Sequence, residues 1–338
     1  MSKPKDHYWL KSGVYSLLQR LSVVLFGFGS FYLLVRTLDK STYGTWVLYI
    51  TATTFIEVIR NGLIQNALVR FLSSNEKEVQ PKIISASFII SAGLTLLCIG
   101  LNLLFARSLS LLWESPELEG MFYLYNIVFV IAGFFYQLQY IEQANFKLNG
   151  IFITTTIRQG SLFIFILVCY LSGTPIDLIS LVYIQIAGTA LATLIAYLYA
   201  KPFFALSFKG STEWVQKLFH YGKYVFGTSV SSVIFNSIDQ MMLGAMLSSA
   251  AAGAYNIAIR ITHFVEVPTA SIAAIVFPQS AKRMETDGKQ AIKYLYEKSV
   301  GAILAFLMPG LLIALLFSDF VVTIIAGENY PETIPILR

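Results

Sequence analysis

The chain has 338 residues, of which 56% are hydrophobic and only 13% are charged, and its mean hydropathy is +0.66. Soluble domains carry about 25% charged residues, so this composition excludes an ordinary water-soluble domain and indicates lipid as the main solvent. The formal net charge is +5, but the basic residues are spread over many separate segments, which excludes a continuous patch for nucleic acid.

Apolar runs long enough to cross a bilayer, about 20 residues, recur along the whole sequence. The runs are continuous rather than alternating, which favours helices over a β-barrel. We therefore predict nine transmembrane helices, TM1 to TM9, over residues 13–36, 42–66, 83–105, 121–141, 150–171, 176–200, 222–247, 251–277 and 299–317. TM1 contains Gln19 and Arg20 and lacks a small-residue cleavage site, so we interpret it as a retained helix and not as a signal peptide.

The basic residues are distributed unevenly between the connecting segments. If the N-terminus is cytoplasmic, every inner segment carries at least one base, whereas the outer loops hold only Arg36, Lys40 and Arg107. The positive-inside rule therefore predicts a cytoplasmic N-terminus. Residues 206–221 are too polar to span, and we predict an amphipathic linker around Trp214 on the inner surface.

An internal repeat relates TM1–TM2 to TM7–TM8 at an offset of 209 positions. It aligns FIEV with FVEV, and so Glu57 with Glu266, although Glu is rare inside membranes. Six spans separate the copies, which predicts parallel repeats and two lobes around a central cavity. The predicted divisions are an N-lobe at 1–205, the linker at 206–221 and the start of a C-lobe at 222–338. Only three spans follow the linker, so we expect a truncated second lobe with nine to ten helices in all.

Several charged residues lie inside the predicted spans, where each costs about 2.5–3.5 kcal/mol on insertion scales. Such residues usually line a cavity or pair with each other, and guanidinium groups bind pyrophosphate through two parallel hydrogen bonds. The candidate cavity cations for an anionic headgroup are Arg20, Arg60, Arg158 and Arg260. The candidate acids for cation coupling or gating are Glu57, Asp239 and Glu266.

Simpler interpretations of these charges remain open. Arg60 could extend to the inner surface, and Glu57 with Arg60, three residues apart, could be only a pair on the helix surface. Arg20 and Arg158 have no acid nearby in the sequence, which favours a role in the cavity. Asp239 and Arg260 are nearly equidistant from the TM7–TM8 turn, which predicts an ion pair that acts as a switch or as a structural lock.

Other side chains suggest packing rather than chemistry. Cys98 and Cys169 lie within apolar spans and are interpreted as packing residues rather than a disulfide. The aromatic stretch FYLYNIVFVIAGFFYQLQY is interpreted as packing and lipid contact. The sequence has no metal-ligand spacing and no nucleotide-binding loop, so we expect no cofactor beyond a coupling Na⁺ or H⁺ and no ATP hydrolysis.

Three stretches resemble the polysaccharide-biosynthesis flippases (Wzx type) of the multidrug/oligosaccharidyl-lipid/polysaccharide (MOP) exporter superfamily. SIDQMMLGAMLSSAAAGAYNIAIRITHFVEVPTASIAAIVFPQSAKR resembles their TM7–TM8 hairpin, with Asp239 in TM7, G-x-Y-x-x-A at 253–258 and Pro278 after TM8. LVRTLDKSTYGTW resembles their first hairpin, and GENYPETIPILR resembles the segment before TM10. The resemblance implies an all-α membrane bundle of the MOP exporter type with rocking-bundle alternating access.

The same resemblance implies a function. A polyprenyl-pyrophosphate-linked oligosaccharide would move from the inner to the outer leaflet of a bacterial cytoplasmic membrane, as in O-antigen synthesis. The implied partners are this glycan, membrane lipids, and the polymerase and glycosyltransferases of the same pathway. The TM7 acid that binds a coupling cation in relatives corresponds to Asp239.

Three alternatives remain beside this transporter, and the least specific of them is a membrane scaffold that transports nothing, against which the buried charges argue. The first is a drug/cation antiporter of the same superfamily, whose cavity should be more acidic. The second is a membrane oligosaccharide polymerase or transferase. An enzyme of that kind is disfavoured, because the outer loops are short and the longest, residues 106–120, contains no His.

Overall fold

The computed structural model describes residues 6–263 and 288–338, with the single positions 272, 276 and 280 between them. These residues form helices joined by short turns, and the described part contains no β-strand. The helices are α1 Asp6–Thr37, α2 Lys40–Ser74, α3 Gln80–Leu112, α4 Glu117–Ala144, α5 Leu148–Ser172, α6 Leu178–Ala200, α7 Ser211–Met246, α8 over residues 249–263, α9 Gly288–Leu316, α10 Ser318–Ala326 and α11 Thr333–Leu337.

Local sequence signals explain where several helices begin and end. Asp39 caps α2, because its Oδ1 accepts a hydrogen bond of 2.7 Å from the Thr42 amide. A proline in the first turn of α3 needs no amide partner there. Gly173 ends α5 with a φ of +67°, a backbone conformation that glycine adopts without a Cβ penalty.

Seven of the described helices are long and apolar enough to cross a membrane. They cover Gly13–Thr37, Lys40–Ser74, Gln80–Leu112, Glu117–Ala144, Leu148–Ser172, Leu178–Phe203 and Lys293–Leu316. These segments confirm predicted TM1 to TM6 and TM9. Predicted TM7 lies in α7 but is not among the seven, because serines, Asn236 and Asp239 make it more polar. Predicted TM8 is described as a continuous helix only up to residue 263, so both remain predictions.

The chain divides into two compact units, Met1–Ala250 and Ala251–Arg338. In the first unit α1 packs on α5, α4 packs on α3, α5 and α6, and α2 packs on α3, α4 and α7. Helices α2 and α4 are thus the centre of this unit. Helix α7, which the repeat assigns to a second lobe, packs here on α2 and α3, and the two-lobe division remains a prediction.

The predicted linker at 206–221 does not form a separate helix. Gly210 precedes α7 in a left-handed conformation, with a φ of +79°, and α7 then runs without a break from Ser211 into predicted TM7. Trp214 packs against Phe71 of α2, with their ring centroids 5.9 Å apart. The amphipathic part of the predicted linker is therefore the first part of α7.

Glycines bring the backbones of α2 and α7 close together. A Cβ on Gly222 of α7 would meet the backbone carbonyl of Leu63 on α2, so neither backbone leaves room for a larger residue. Farther along, Gln240 of α7 accepts a hydrogen bond of 3.1 Å from Thr51 of α2. Close approach at small residues together with interhelical hydrogen bonds is typical of helices that pack within membranes.

The second unit contains α8 to α11. The hydroxyl of Thr333, at the start of α11, is buried and donates a 3.2 Å hydrogen bond to the Ala254 carbonyl. Arg338 pairs with Asp319 of α10 at 3.2 Å. These contacts attach the segment that contains GENYPETIPILR to α8 and α10.

Candidate functional site

Glu57 is the centre of a buried polar site in the first unit. Its residue is 8% exposed, and it lies on the face of α2 that packs against α4. Tyr125 and Tyr136 of α4 donate hydrogen bonds to its two carboxylate oxygens at 3.0 and 3.1 Å. Arg158 of α5 forms an ion pair with it, with 3.6 Å between Nη2 and Oε1. Three helices therefore converge on one carboxylate.

Arg158 is the most accessible charge of this group. Its Nη1 donates a 2.6 Å hydrogen bond to the Tyr136 hydroxyl, which itself donates to Glu57. Its guanidinium also lies 5.3 Å from the centre of the Tyr136 ring. The Arg158 side chain is 21% exposed, against 11% for Glu57. The sequence offered no acid near Arg158, and the fold supplies one from α2.

Arg60 does not extend to the inner surface, so that alternative is wrong. The residue is 1% exposed, and its Nη1 donates a 2.7 Å hydrogen bond to the Phe129 carbonyl of α4. Its Nε donates to Asn61, and its guanidinium lies 5.5 Å from the Tyr136 ring centre. Its Nη2 is buried and has no hydrogen-bond partner in the described structure. Arg60 is thus a fixed buried cation.

Glu57 and Arg60 do not form a simple ion pair on the surface of α2. Residues three apart on a helix share a face, and both side chains do face α4. Their partners differ, however, because Glu57 binds the tyrosines and Arg158 while Arg60 binds the Phe129 carbonyl. We call Glu57, Arg60, Tyr125, Tyr136 and Arg158 the α2–α4–α5 charge cluster.

The formal charge of the cluster is +1, from two guanidinium groups and one carboxylate. Electrostatic interactions are stronger in such a low-dielectric setting than in water. Each carboxylate oxygen of Glu57 accepts a tyrosine hydrogen bond, whereas Arg158 retains an accessible edge. The arrangement can therefore attract an anion to Arg158 and hold the guanidinium in place when no anion is bound.

The two tyrosines are functional candidates that sequence reasoning missed. They lie in the aromatic stretch interpreted as packing and lipid contact, but their hydroxyls bind Glu57. A hydroxyl in an apolar span needs a hydrogen-bond partner. Positions 125 and 136 carry tyrosine where phenylalanine would serve equally well for packing. This was the sequence signal for a buried polar partner.

The remaining candidates lie on α1, α7 and α8 or outside the described residues. Arg20 lies on α1, which packs on α5, but its side chain is exposed and no contact connects it to Glu57 or Arg158. Asp239 is exposed on α7, and Arg260 on α8 is half-buried and donates a 2.9 Å hydrogen bond to Asn256. Asp239 and Arg260 belong to different compact units, so their pairing remains a prediction. Glu266 lies outside the described residues.

The described residues show neither a disulfide nor a group of metal ligands. Cys98 and Cys169 are both buried and are free of a disulfide, as predicted. Within residues 6–263 and 288–338, no group of three or more His, Cys, Asp or Glu side chains could hold a metal ion. The charge cluster is therefore built from arginine, glutamate and tyrosine.

Comparison with known proteins gives matches across most of the chain. The family described as "Polysaccharide biosynthesis protein" matches residues 33–335. The "Probable low-salt glycan biosynthesis flippase Agl15" of Haloferax volcanii is 25% identical over 160 residues, which are 47% of this chain and 33% of that protein. The "Lipopolysaccharide biosynthesis protein WzxC" of Escherichia coli K12 is 20% identical over 328 residues, which are 94% of this chain and 63% of that protein. The chain thus spans less than two thirds of either relative.

Two solved structures share the fold. An inward-facing multidrug resistance MATE family transporter of the MOP superfamily matches with a TM-score of 0.74 and 14% identity, over 93% of this chain and 74% of that one. Lipid II flippase MurJ, in an inward closed conformation, matches with a TM-score of 0.72 and 15% identity, over 96% and 71%. These matches confirm the predicted all-α membrane fold of the MOP exporter type. The matched proteins are named as flippases, a transporter and a biosynthesis protein, in agreement with the expectation of a transporter rather than an enzyme.

Proposed function

The chain belongs to the polysaccharide biosynthesis protein family, and on that premise we propose that it moves a polyprenyl-pyrophosphate-linked oligosaccharide across a bacterial cytoplasmic membrane. Its multi-pass helical fold supports a membrane transporter. Two of the matched proteins are named as flippases, one for glycan biosynthesis and one for lipid II, which supports a lipid-linked substrate. The glycan would be loaded at the inner leaflet and released at the outer one.

The observation that carries the proposal is the excess positive charge of the α2–α4–α5 charge cluster. A pyrophosphate is a suitable ligand for a guanidinium group, because two oxygens can accept parallel hydrogen bonds. Arg158 would bind the headgroup, and Glu57 would hold Arg158 in position when the site is empty. Arg60 would contribute a fixed positive charge, since its guanidinium is bound to the Phe129 carbonyl.

The contacts of Arg158 support an exchange of partners at this residue. The Glu57–Arg158 separation of 3.6 Å is longer than a direct charge-assisted hydrogen bond, about 2.7–2.9 Å. The Tyr136 hydroxyl lies between the two groups and contacts both. An incoming phosphate oxygen would take an N–H of Arg158, and Tyr125 and Tyr136 would keep Glu57 hydrogen-bonded.

Other charges complete the proposal. Arg20 and Arg260 are proposed as further headgroup cations, and Asp239 and Glu266, with Glu57, as acids that respond to Na⁺ or H⁺. The N-terminus is proposed to be cytoplasmic. The polymerase and glycosyltransferases of the same pathway are proposed as functional partners.

An Asp239→Asn variant should lose the ion dependence of transport, and unchanged ion dependence would contradict its role in coupling.

The central experiment replaces Arg158 in the full-length protein. Losing charge-assisted hydrogen bonds of about 1.5–3 kcal/mol corresponds to a reduction of about 10- to 150-fold in the rate of transport, measured with a fluorescent lipid-linked oligosaccharide in vesicles. Arg107→Ala is the matched control, because Arg107 is an exposed arginine outside the cluster. Wild-type transport by Arg158→Ala would contradict headgroup binding. Export of a cationic dye that is independent of Arg158 would instead support the drug/cation antiporter.

A further inference from the structure

Glu142 is a second buried acid, separate from the α2–α4–α5 charge cluster. It lies in the last turn of α4 and is 0% exposed. Both carboxyl oxygens are buried, and neither has a hydrogen-bond partner among the described residues. An ionised carboxylate removed from water without donors costs several kcal/mol. The packed arrangement therefore requires the neutral, protonated carboxyl group.

The space around Glu142 is shaped by a glycine on the neighbouring helix. The Oε2 atom of Glu142 occupies the place that a Cβ on Gly150, in the first turn of α5, would take. The Cβ of Tyr199 on α6 lies 3.0 Å from the same place. Three helix ends thus meet around one carboxyl group, and a larger residue at position 150 would displace it.

The turn between α4 and α5 is anchored on the same residue. The Glu142 carbonyl accepts hydrogen bonds from the Asn145 and Lys147 amides at 3.2 and 2.9 Å. Phe146, between them, has a φ of +57° and an exposed side chain. A non-glycine residue in this left-handed region costs of order 1–3 kcal/mol. The turn is therefore held in a strained conformation by hydrogen bonds to the backbone carbonyl of the residue that carries the buried acid.

The other titratable groups on these helices do not neutralise Glu142. The titratable side chains on α4, the turn, α5 and α6 include Tyr140, Lys147, Arg158, Tyr199 and Lys201. In the described structure none of them forms a hydrogen bond or an ion pair with the Glu142 carboxyl group. Lys147 and Lys201 are exposed, and Arg158 is paired with Glu57.

We propose that Glu142 is a proton-binding switch of the α4–α5 turn, at the helix ends that the positive-inside rule assigns to the cytoplasm. The protonated carboxyl group lies against Gly150 and keeps the turn packed. On losing its proton it leaves this position for water, and the turn over residues 145–147 opens. Because Arg158 lies eight residues beyond Gly150, about 12 Å along α5, opening also changes where Arg158 meets Glu57. The switch does not depend on the identity of the transported molecule.

The test places a fluorescent reporter on the turn. Phe146→Cys is labelled with bimane in the full-length protein in lipid nanodiscs, and Cys98 and Cys169 are buried and so protected. The emission is followed from about pH 5 to about pH 9, a range in which buried carboxyls titrate. In the protein with Glu142 we expect the bimane emission to change with pH in a single step. This step should be absent in the Glu142→Gln variant, because glutamine has the same size as glutamate but is always neutral. The same pH curve in both proteins, or no pH response with Glu142, would overturn the proposal.

A second variant and a second measurement separate the switch from a folding defect. Gly150→Ala should displace the carboxyl group and give the high-pH emission at every pH, and low-pH emission there would count against the proposal. If Glu142→Gln does not fold, hydrogen exchange of the unaltered protein decides the question. Exchange over residues 142–150, relative to the α2–α3 turn at 75–79, should be faster at high pH after correction for the intrinsic rate. An unchanged ratio would overturn the switch.

Discussion

The Tyr136 hydroxyl hydrogen-bonds to both Glu57 and Arg158, whose charged groups are 3.6 Å apart. Removal of this hydroxyl tests the charge cluster. In the Tyr136→Phe variant the ring remains, but the hydrogen bonds of 2.6 Å to Arg158 and 3.1 Å to Glu57 are lost. Hydrogen bonds to charged groups contribute about 1.5–3 kcal/mol each. The sum is an upper bound, because Arg158 and Glu57 can move together from 3.6 Å once the hydroxyl is gone. We expect the free energy of unfolding to fall by about 2–4 kcal/mol.

The measurement is unfolding in mixed detergent micelles, followed by circular dichroism as the fraction of SDS rises. Tyr123→Phe is the matched control, because Tyr123 lies on the same helix and its hydroxyl binds Glu119 at the exposed surface. A change within about 0.5 kcal/mol is expected for the control. If Tyr136→Phe is no more destabilising than Tyr123→Phe, the hydroxyl does not link the pair and the argument for the cluster is wrong.

Three further substitutions test other contacts. Arg60→Lys keeps the charge but loses the guanidinium geometry that reaches the Phe129 carbonyl, and should destabilise by about 2–4 kcal/mol in the same SDS titration; an unchanged midpoint would contradict the buried hydrogen bond. Gly222→Ala places a Cβ against the Leu63 carbonyl and should cost about 1–3 kcal/mol, seen as a lower melting temperature; a neutral result would show that α2 and α7 are less closely packed. Asp39→Ala removes the cap of α2 and should cost about 1 kcal/mol, with faster amide exchange in the first turn; unchanged exchange there would refute the cap.

Hydropathy alone was enough to predict the first six spans, because a bilayer fixes both the length and the apolar character of a crossing helix. It was insufficient for α7. A transmembrane span is recognised by its hydropathy, whereas a helix continues until a residue breaks its backbone hydrogen bonding. After Gly210 the helix α7 continues unbroken to Met246. The polar start of α7 therefore looked like a separate linker.

The charge cluster could be predicted only in part. Sequence reasoning identified Glu57, Arg60 and Arg158 as unusual, because ionised groups inside a membrane are costly. It could not pair Glu57 with Arg158, since position along a helix gives depth but not which helices are neighbours. Packing of α2 on α4 and of α4 on α5 supplies that information. The prediction that Arg60 could extend to the inner surface was wrong for the same reason. Its hydrogen-bond acceptor lies on α4, and the sequence did not show that α4 is a neighbour of α2.

The buried position of Arg60 has a consequence for how the protein is made. Its carbonyl acceptor in α4 lies 69 residues downstream, and Tyr125, which binds Glu57, follows Glu57 by 68 residues. At about 5–20 residues per second, α4 follows α2 out of the ribosome after roughly 3–14 s. During that time α2 carries two charges without their partners, each costing about 2.5–3.5 kcal/mol in the bilayer. We therefore expect α2 to wait at the insertion machinery or the membrane surface and to enter the lipid together with α4.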